Sequence, residues 1–216
     1  MTTDIIHKDI DVLVIGGGIA GTMAAIKARE AGAKNVVEVD KSRVGKSGNS
    51  CFAAGVVHVY FPGLEDFNDR LRRTCRCLGY IAQLDLQQDY LENITPLVEE
   101  MSSWGVRFVR TADGELERRP GRGYYPIISF YGFQLMDQMA KTVLKKGAKQ
   151  INRMMITGLL TRDGAVTGAV GFDARTGEFH IFQSKATVLA TGSTFYKGLC
   201  PGQDDMSGDG YWMAYH

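Results

Sequence analysis

The chain has 216 residues, a formal net charge of +1, 44% hydrophobic and 23% charged residues, the balance of a globular domain able to bury a substantial core. So small a charge gives no global field for nucleic acid or an anionic membrane, and neither is an expected partner. The N-terminus lacks a secretory signal, the apolar run Val12 to Ile26 is broken by four glycines, and Cys51, Cys75, Cys77 and Cys200 show no metal-ligand spacing; the expectation is a cytoplasmic location, no direct membrane insertion and no metal.

Val12-Leu13-Val14-Ile15 predicts a strand that runs into Gly16-Gly17-Gly18-Ile19-Ala20-Gly21 and then into a helix over Thr22 to Ala28. In such a turn Gly16 permits the tight bend, Gly18 lets backbone approach a pyrophosphate, and Gly21 lets helix and strand pack closely. A diphosphate then sits on unpaired N–H groups at the positive end of the helix. A second strand, Val36 to Val39, ends at Asp40, about 20 residues past the turn, the spacing at which an acid meets a ribose diol. An acid there disfavours a cofactor with a 2′-phosphate, which leaves NAD or FAD. The loop from Lys41 to Val57 is rich in small and hydroxylated residues and suits a flat ring lying against backbone.

Beyond that loop the periodicity becomes helical. Phe67, Leu71, Cys75 and Leu78 form one apolar face, with Arg70, Arg72, Arg73 and Arg76 read as a solvated one. Tyr90, Ile94, Leu97, Val98, Met101 and Trp104 predict a second helix, kinked or interrupted at Pro96 and ended by Gly105. Val106 to Val109 reads as a strand and Asp113-Gly114 as its hairpin turn. Arg118, Arg119 and Arg122 with Tyr124 and Tyr125 suit either an anion-recognising loop or a plain surface loop, and the plain reading is favoured for any single arginine. A third helix, carrying Phe133, Leu135, Met136, Met139, Val143 and Leu144, is capped by Gly147. Runs at Met154 to Leu160, Val166 to Phe172 and Phe179 to Phe182, separated by Asp163-Gly164 and Arg175-Thr176-Gly177, predict a β-meander. Thr187 to Ala190 is a buried parallel strand, and the chain finishes in a helix-like stretch, Gly210 to His216.

Taken in order, Gly16 to Gly21, Asp40-Lys41, Ser47-Gly48-Asn49-Ser50 with Ala53-Ala54-Gly55, Ala190-Thr191-Gly192, and Ser207-Gly208-Asp209-Gly210 with Met213-Ala214 resemble the flavoprotein subunits of the fumarate reductase and succinate dehydrogenase superfamily. That superfamily includes L-aspartate oxidase and the adenylylsulfate reductase α subunit, and Gly168 to Phe172 with Phe179 to Phe182 looks most like the latter. The resemblance implies an incomplete Rossmann-like α/β FAD-binding domain, a parallel sheet with crossover helices plus the meander. It would span residues 1–216, with a helical insertion at about 62–150 and with the capping domain and most acid/base groups outside this sequence, so that the piece alone is expected to be inactive.

Carried over, Gly16, Gly18, Ile19, Ala20 and Gly21 would hold the pyrophosphate, and Val39, Asp40 and Lys41 would stand at the adenosine ribose. Ser47, Gly48, Asn49, Ser50, Ala53, Ala54 and Gly55 would line the ribityl chain and flavin ring, Ile156 the adenine. Ala190, Thr191 and Gly192 would bring backbone to the cofactor, and Asp209 would lie near the ribityl or pyrophosphate oxygens. Members with covalent flavin carry His after the serine matching Ser47; Gly48 stands there, which implies noncovalent FAD. The implied activity is an FAD-dependent oxidoreductase that moves a hydride or electron pair between a small anionic substrate and flavin, and the candidate partner is an iron–sulfur subunit. A noncatalytic scaffold and an NAD-binding module are the competing expectations. His7, His58, His180 and His216 read as structural or exposed, and no catalytic residue is assigned.

Overall fold

The computed structural model describes residues 4–53, 55–121, 126–196 and 198–216. In chain order its elements are β1 (Ile5–Ile15), α1 (Ile19–Glu30), β2 (Val36–Asp40), α2 (Gly48–Cys51), β3 (Val56–His58), α3 (Phe67–Cys77), α4 (Leu84–Ser103) and β4 (Arg119–Pro120). There follow β5 (Pro126–Ser129), α5 (Gly132–Lys145), β6 (Lys149–Asn152), β7 (Met154–Arg162), β8 (Ala165–Asp173), β9 (Phe179–Leu189) and α6 (Asp209–Tyr215). They form two compact units, one made of the residues up to Ala53 with Gly132–His216, the other of Ala54–Tyr131.

The first unit holds a six-stranded sheet in the order β6-β2-β1-β9-β8-β7. β6, β2, β1 and β9 run parallel, while β7, β8 and β9 form the predicted antiparallel meander. A parallel strand covered on both faces needs a near-continuous apolar run, and Val36-Val37-Glu38-Val39 is buried throughout. Leu13, Ile15, Val37 and Val39 pack with Met154, Ile156, Ala169, Phe182 and Met213, so the meander and α6 close one face of the parallel strands. Apart from Ala169, each such side chain contributes about 1.5–3 kcal/mol on burial. β1 is longer than its apolar run predicts. It begins at Ile5 and pairs with β9 on either side of an irregularity where Asp9 has φ 59. His7 Nε2 lies 2.9 Å from His180 Nδ1, and its ring stacks on Phe182, so both histidines are structural; burial, then the neighbouring His180, holds the His7 pKa below its ordinary value.

Glu38 is fully buried on the other face of β2. Its Oε2 accepts from Gln150 Nε2, which also donates to the Ala140 carbonyl of α5, while Oε1 has no partner among the described residues. Burial pushes its pKa up to about 8, against an ordinary 4.5. The folded chain therefore keeps a proton that the unfolded chain releases above pH 4.5, and stability drains away as pH rises from there to about 8. Glu38→Gln, which has no proton to lose, is expected to gain on the wild type by on the order of 2–4 kcal/mol between pH 5 and pH 8. Melting temperatures across that range check it, and parallel curves would refute it.

In the second unit β3, β5 and β4 form a small antiparallel sheet, and α3 packs on α4. Three expectations change here. Of the two alternatives at Pro96, interruption is excluded: α4 runs from Leu84 through Pro96, because losing one N–H in a twenty-residue helix is offset by burial of Leu91, Ile94, Val98 and Met101. Val106 to Val109 is not a ladder; among the described residues it forms an isolated bridge, Phe108 with Phe130, and just beyond it Arg110 bridges Leu116. Nor are the α3 arginines all solvated. Arg70 is 1% exposed, donating to Glu65 Oε2 at 3.2 Å and to the Val59 carbonyl at 3.1 Å, whereas Leu78 from the expected apolar face is exposed. A charge as well neutralised as this one can be buried where a lone one cannot.

Candidate functional site

α1 starts at Ile19, directly after the glycine turn that follows β1. Its N-cap, Gly18, supplies no side-chain cap, and no acid occupies the first turn, so the helix end presents N–H groups and positive potential. Ile19 N–H reaches Ser50 Oγ at 3.2 Å. Two glycines are fixed by contact. A Cβ on Gly16, whose φ is +115, would lie 2.3 Å from the Ala190 carbonyl oxygen, and one on Gly21 would lie 1.8 Å from that of Gly16. Gly18 differs, since a Cβ there meets only Ser50, at 3.3 Å from Oγ.

A crevice of about 510 Å³ opens at this point, within the volume range of cofactor pockets. Gly16, Gly18, Ile19 and Ala20 form one wall, with Asp40 and Lys41 at one end. Ser47, Gly48, Asn49 and Ser50 form another wall, and Ala190, Thr191 and Gly192 a third. A second cavity of about 50 Å³ lies beside Gly16, Val39, Asp40, Lys41, Ile156, Thr191 and Asp209. Seventeen of the residues expected at a cofactor are thus accounted for on these walls or, for Gly21, directly beneath them, in the packing role assigned to it. Ala53 and Gly55 line neither cavity. The Ala53 carbonyl sits against Gly132, and Gly55 lies in the second unit, its carbonyl accepting from Phe130 N–H. Ala54 lies outside the described residues, as do Arg122, Tyr124 and Tyr125 of the arginine-rich loop.

The site also has members to which the motifs assign no cofactor contact, although Gly17, Gly210 and Ala214 belong to those motifs. Gly17, Asp205, Met206, Gly210, Tyr211 and Ala214 line the larger crevice, and Met155 the smaller. Asn152 has an indirect role, accepting from Val44 N–H at 2.9 Å and so pinning the loop after β2. Gly45 N–H donates to the Gly17 carbonyl in the same loop. Only the small-residue character of that loop hinted at such an arrangement.

The carboxylate of Asp40 is already engaged. Oδ2 accepts from Gly17 N–H at 2.7 Å and Oδ1 from Ser42 N–H at 2.7 Å, so the acid braces the glycine turn against the loop while lining both cavities. Each carboxylate oxygen retains further acceptor capacity for a hydroxyl. Asp209 is held too, by Lys41 Nζ at 2.7 Å and Ser207 Oγ at 3.0 Å, which ties the start of α6 to the end of β2. Lys41→Met and Asp209→Asn are each expected to weaken dinucleotide binding about tenfold, with the double variant no worse than either single one. Additive losses in titrations of the three variants would contradict the tie.

A parallel sheet with a crossover helix, a glycine turn at the first helix N-terminus and an acid closing the second strand define a dinucleotide-binding domain of the Rossmann-like class. Residues 11–214 match the FAD binding domain family, and the chain belongs to that family. It is 29% identical over 214 residues to an uncharacterized FAD-dependent oxidoreductase of Methanocaldococcus jannaschii, with 95% of this chain and 39% of that protein covered. It is 28% identical over 216 residues to a subunit of the fumarate reductase (CoM/CoB) of Methanothermobacter marburgensis, with 96% and 39% covered. Among solved structures, adenylylsulfate reductase from Archaeoglobus fulgidus superposes with a TM-score of 0.79 at 25% identity, over 98% of this chain and 36% of that one. The chain thus spans less than two-fifths of the length of the relatives it matches. FAD is the cofactor of this family, and the crevice fits it: a bare glycine surface, helix N–H groups and the acid Asp40 among its lining residues. No helix among the described residues is long and apolar enough to cross a membrane.

Proposed function

We propose that the chain is the flavin-holding part of an oxidoreductase that exchanges a hydride or electron pair between a small anionic substrate and noncovalent FAD, and that passes electrons to an iron–sulfur partner or another acceptor. The observation that carries this reading is the Gly18 position, where the absence of a side chain keeps the crevice open in front of the α1 N-terminus. Isoalloxazine supplies the two-electron chemistry when bound. The residues of this chain bind and orient it. N–H groups at Gly18 to Ala20 would receive the diphosphate, that of Ile19 in exchange for Ser50 Oγ, Asp40 would accept from the ribose, and Ser47 to Ser50 would line the path toward the ring.

Noncovalent attachment is supported at Gly48. Its backbone has φ +70, a conformation that an L side chain rarely adopts, and it has no side-chain nitrogen to bond a flavin. The Methanothermobacter marburgensis relative, part of a fumarate reductase, supports a carboxylate-bearing substrate class. Assays of the whole oxidoreductase that holds this chain, with a reduced dye as electron donor to fumarate and adenylylsulfate and an oxidised dye as acceptor from aspartate, test the reaction. Turnover of one acid, lost on removal of FAD, is expected; a flavin-loaded protein inert toward every anion, in both directions, would overturn the oxidoreductase reading.

A further inference from the structure

A third cavity, of about 550 Å³, lies wholly within the second unit, and none of its lining residues lines either crevice of the first. Arg73 of α3 and Arg118 and Arg119 at β4 converge on it, although these segments are far apart in sequence. Phe61, Leu64, Pro120 and Pro126 give it apolar walls. Its one lining carboxylate, Glu65, is committed to the buried Arg70 at 3.2 Å. Arg73 pairs with Asp69 at 2.9 Å, and Arg119 pairs with Glu117. Arg118 has no carboxylate partner among the described residues; its guanidinium carbon lies 5.2 Å from the centre of the Phe61 ring. The local carboxylates are therefore each spoken for, and one positive charge is left over beside an aromatic wall.

We propose that this cavity binds a small organic oxyanion, a carboxylate or phosphate on an apolar body, with Arg118, Arg73 and Arg119 around the oxyanion and Phe61 and Leu64 against the body. A solvated arginine face is the commoner fate of such residues, and Arg118 and Arg119 are exposed, but here arginines from two separate segments line one concavity that also has apolar walls. Planar guanidinium groups match the two oxygens of a carboxylate or phosphate, and stacking on an aromatic ring fixes their plane. Arg118, without a carboxylate partner among the described residues, makes the net attraction, because the other two arginines share their charge with neighbouring acids.

Isothermal titration of the 216-residue chain with phenyl phosphate, inorganic phosphate, and sodium chloride at matched ionic strength tests the site. Saturable binding of phenyl phosphate is expected, tighter than that of inorganic phosphate. Arg118→Ala and Arg118→Gln are each expected to weaken it by at least about tenfold, while Arg162→Ala, on β7 of the other unit, leaves it unchanged. Circular dichroism and FAD content equal to wild type show that the variants are folded, and keep the outcome separate from that of the flavin reading. Heats no larger than those of sodium chloride, or equal weakening by the Arg118 and Arg162 variants, overturn the site. Equal affinity for the two phosphates overturns the assignment to an organic anion.

Discussion

Gly18→Val is expected to abolish FAD retention in a protein that still folds, whereas Gly21→Ala is expected to damage the fold itself. The two glycines stand three residues apart and face different things. At Gly18 the backbone is extended, φ −80 and ψ −170, which any residue adopts, and a Cβ meets only the Ser50 side chain. A valine there costs the apoprotein little and places its methyl groups in the space in front of the helix N–H groups. We expect FAD affinity to fall by at least about 100-fold, with the apoprotein melting within about 2 °C of wild type. At Gly21 a Cβ would sit 1.8 Å from the Gly16 carbonyl oxygen and 2.9 Å from its carbon, both backbone atoms that cannot swing aside. α1 must then lift off β1, at a cost of about 3 kcal/mol. Thermal unfolding of the two apoproteins separates the cases, and a stable Gly21→Ala or an unfolded Gly18→Val would contradict the assignment.

The second large effect belongs to Asp40. Removing its carboxylate leaves Gly17 N–H and Ser42 N–H without their acceptor, and it removes the acid that faces both cavities. Hydrogen bonds to a charged acceptor contribute about 1.5–3 kcal/mol each, so Asp40→Ala is expected to lower FAD affinity by on the order of 100-fold or more and to reduce stability as well. Asp40→Asn keeps one acceptor oxygen but turns an amide donor toward the other N–H, and it should recover only part of the loss. Equilibrium dialysis with FAD measures both. An Asp40→Asn protein that binds as wild type would show that charge and acceptor count at this position are irrelevant.

The first crossover was legible in the sequence because its chemistry is local. Gly16 to Gly21 and Asp40 announce a turn and a strand end whatever the rest of the chain does, and the meander follows from Asp163-Gly164 and Arg175-Thr176-Gly177 between β-rich runs. Partners distant in sequence were not legible. Asn152 holding the loop after β2, Lys41 meeting Asp209, and Tyr211 of α6 lining the crevice are consequences of which strands become neighbours. Short edge elements also escaped. β3, β4 and β6 are two to four residues long, below the length at which alternation can be counted. Composition misled most at α3, where a helix rich in arginine buries Arg70 because Glu65 and the Val59 carbonyl meet it, while its apolar Leu78 stays exposed. At Glu38 a buried apolar strand carries an acid that only three-dimensional placement explains, beneath α5 and beside Gln150.

Denaturing the purified protein with acid and recording the visible spectrum of pellet and supernatant decides the matter most simply. An open glycine surface facing a helix start, with no side chain at position 48 to trap the ring, predicts one equivalent of flavin per chain, all of it released as intact FAD. Colour that stays with the precipitate, or a chain that takes up NADH and never FAD, would contradict it.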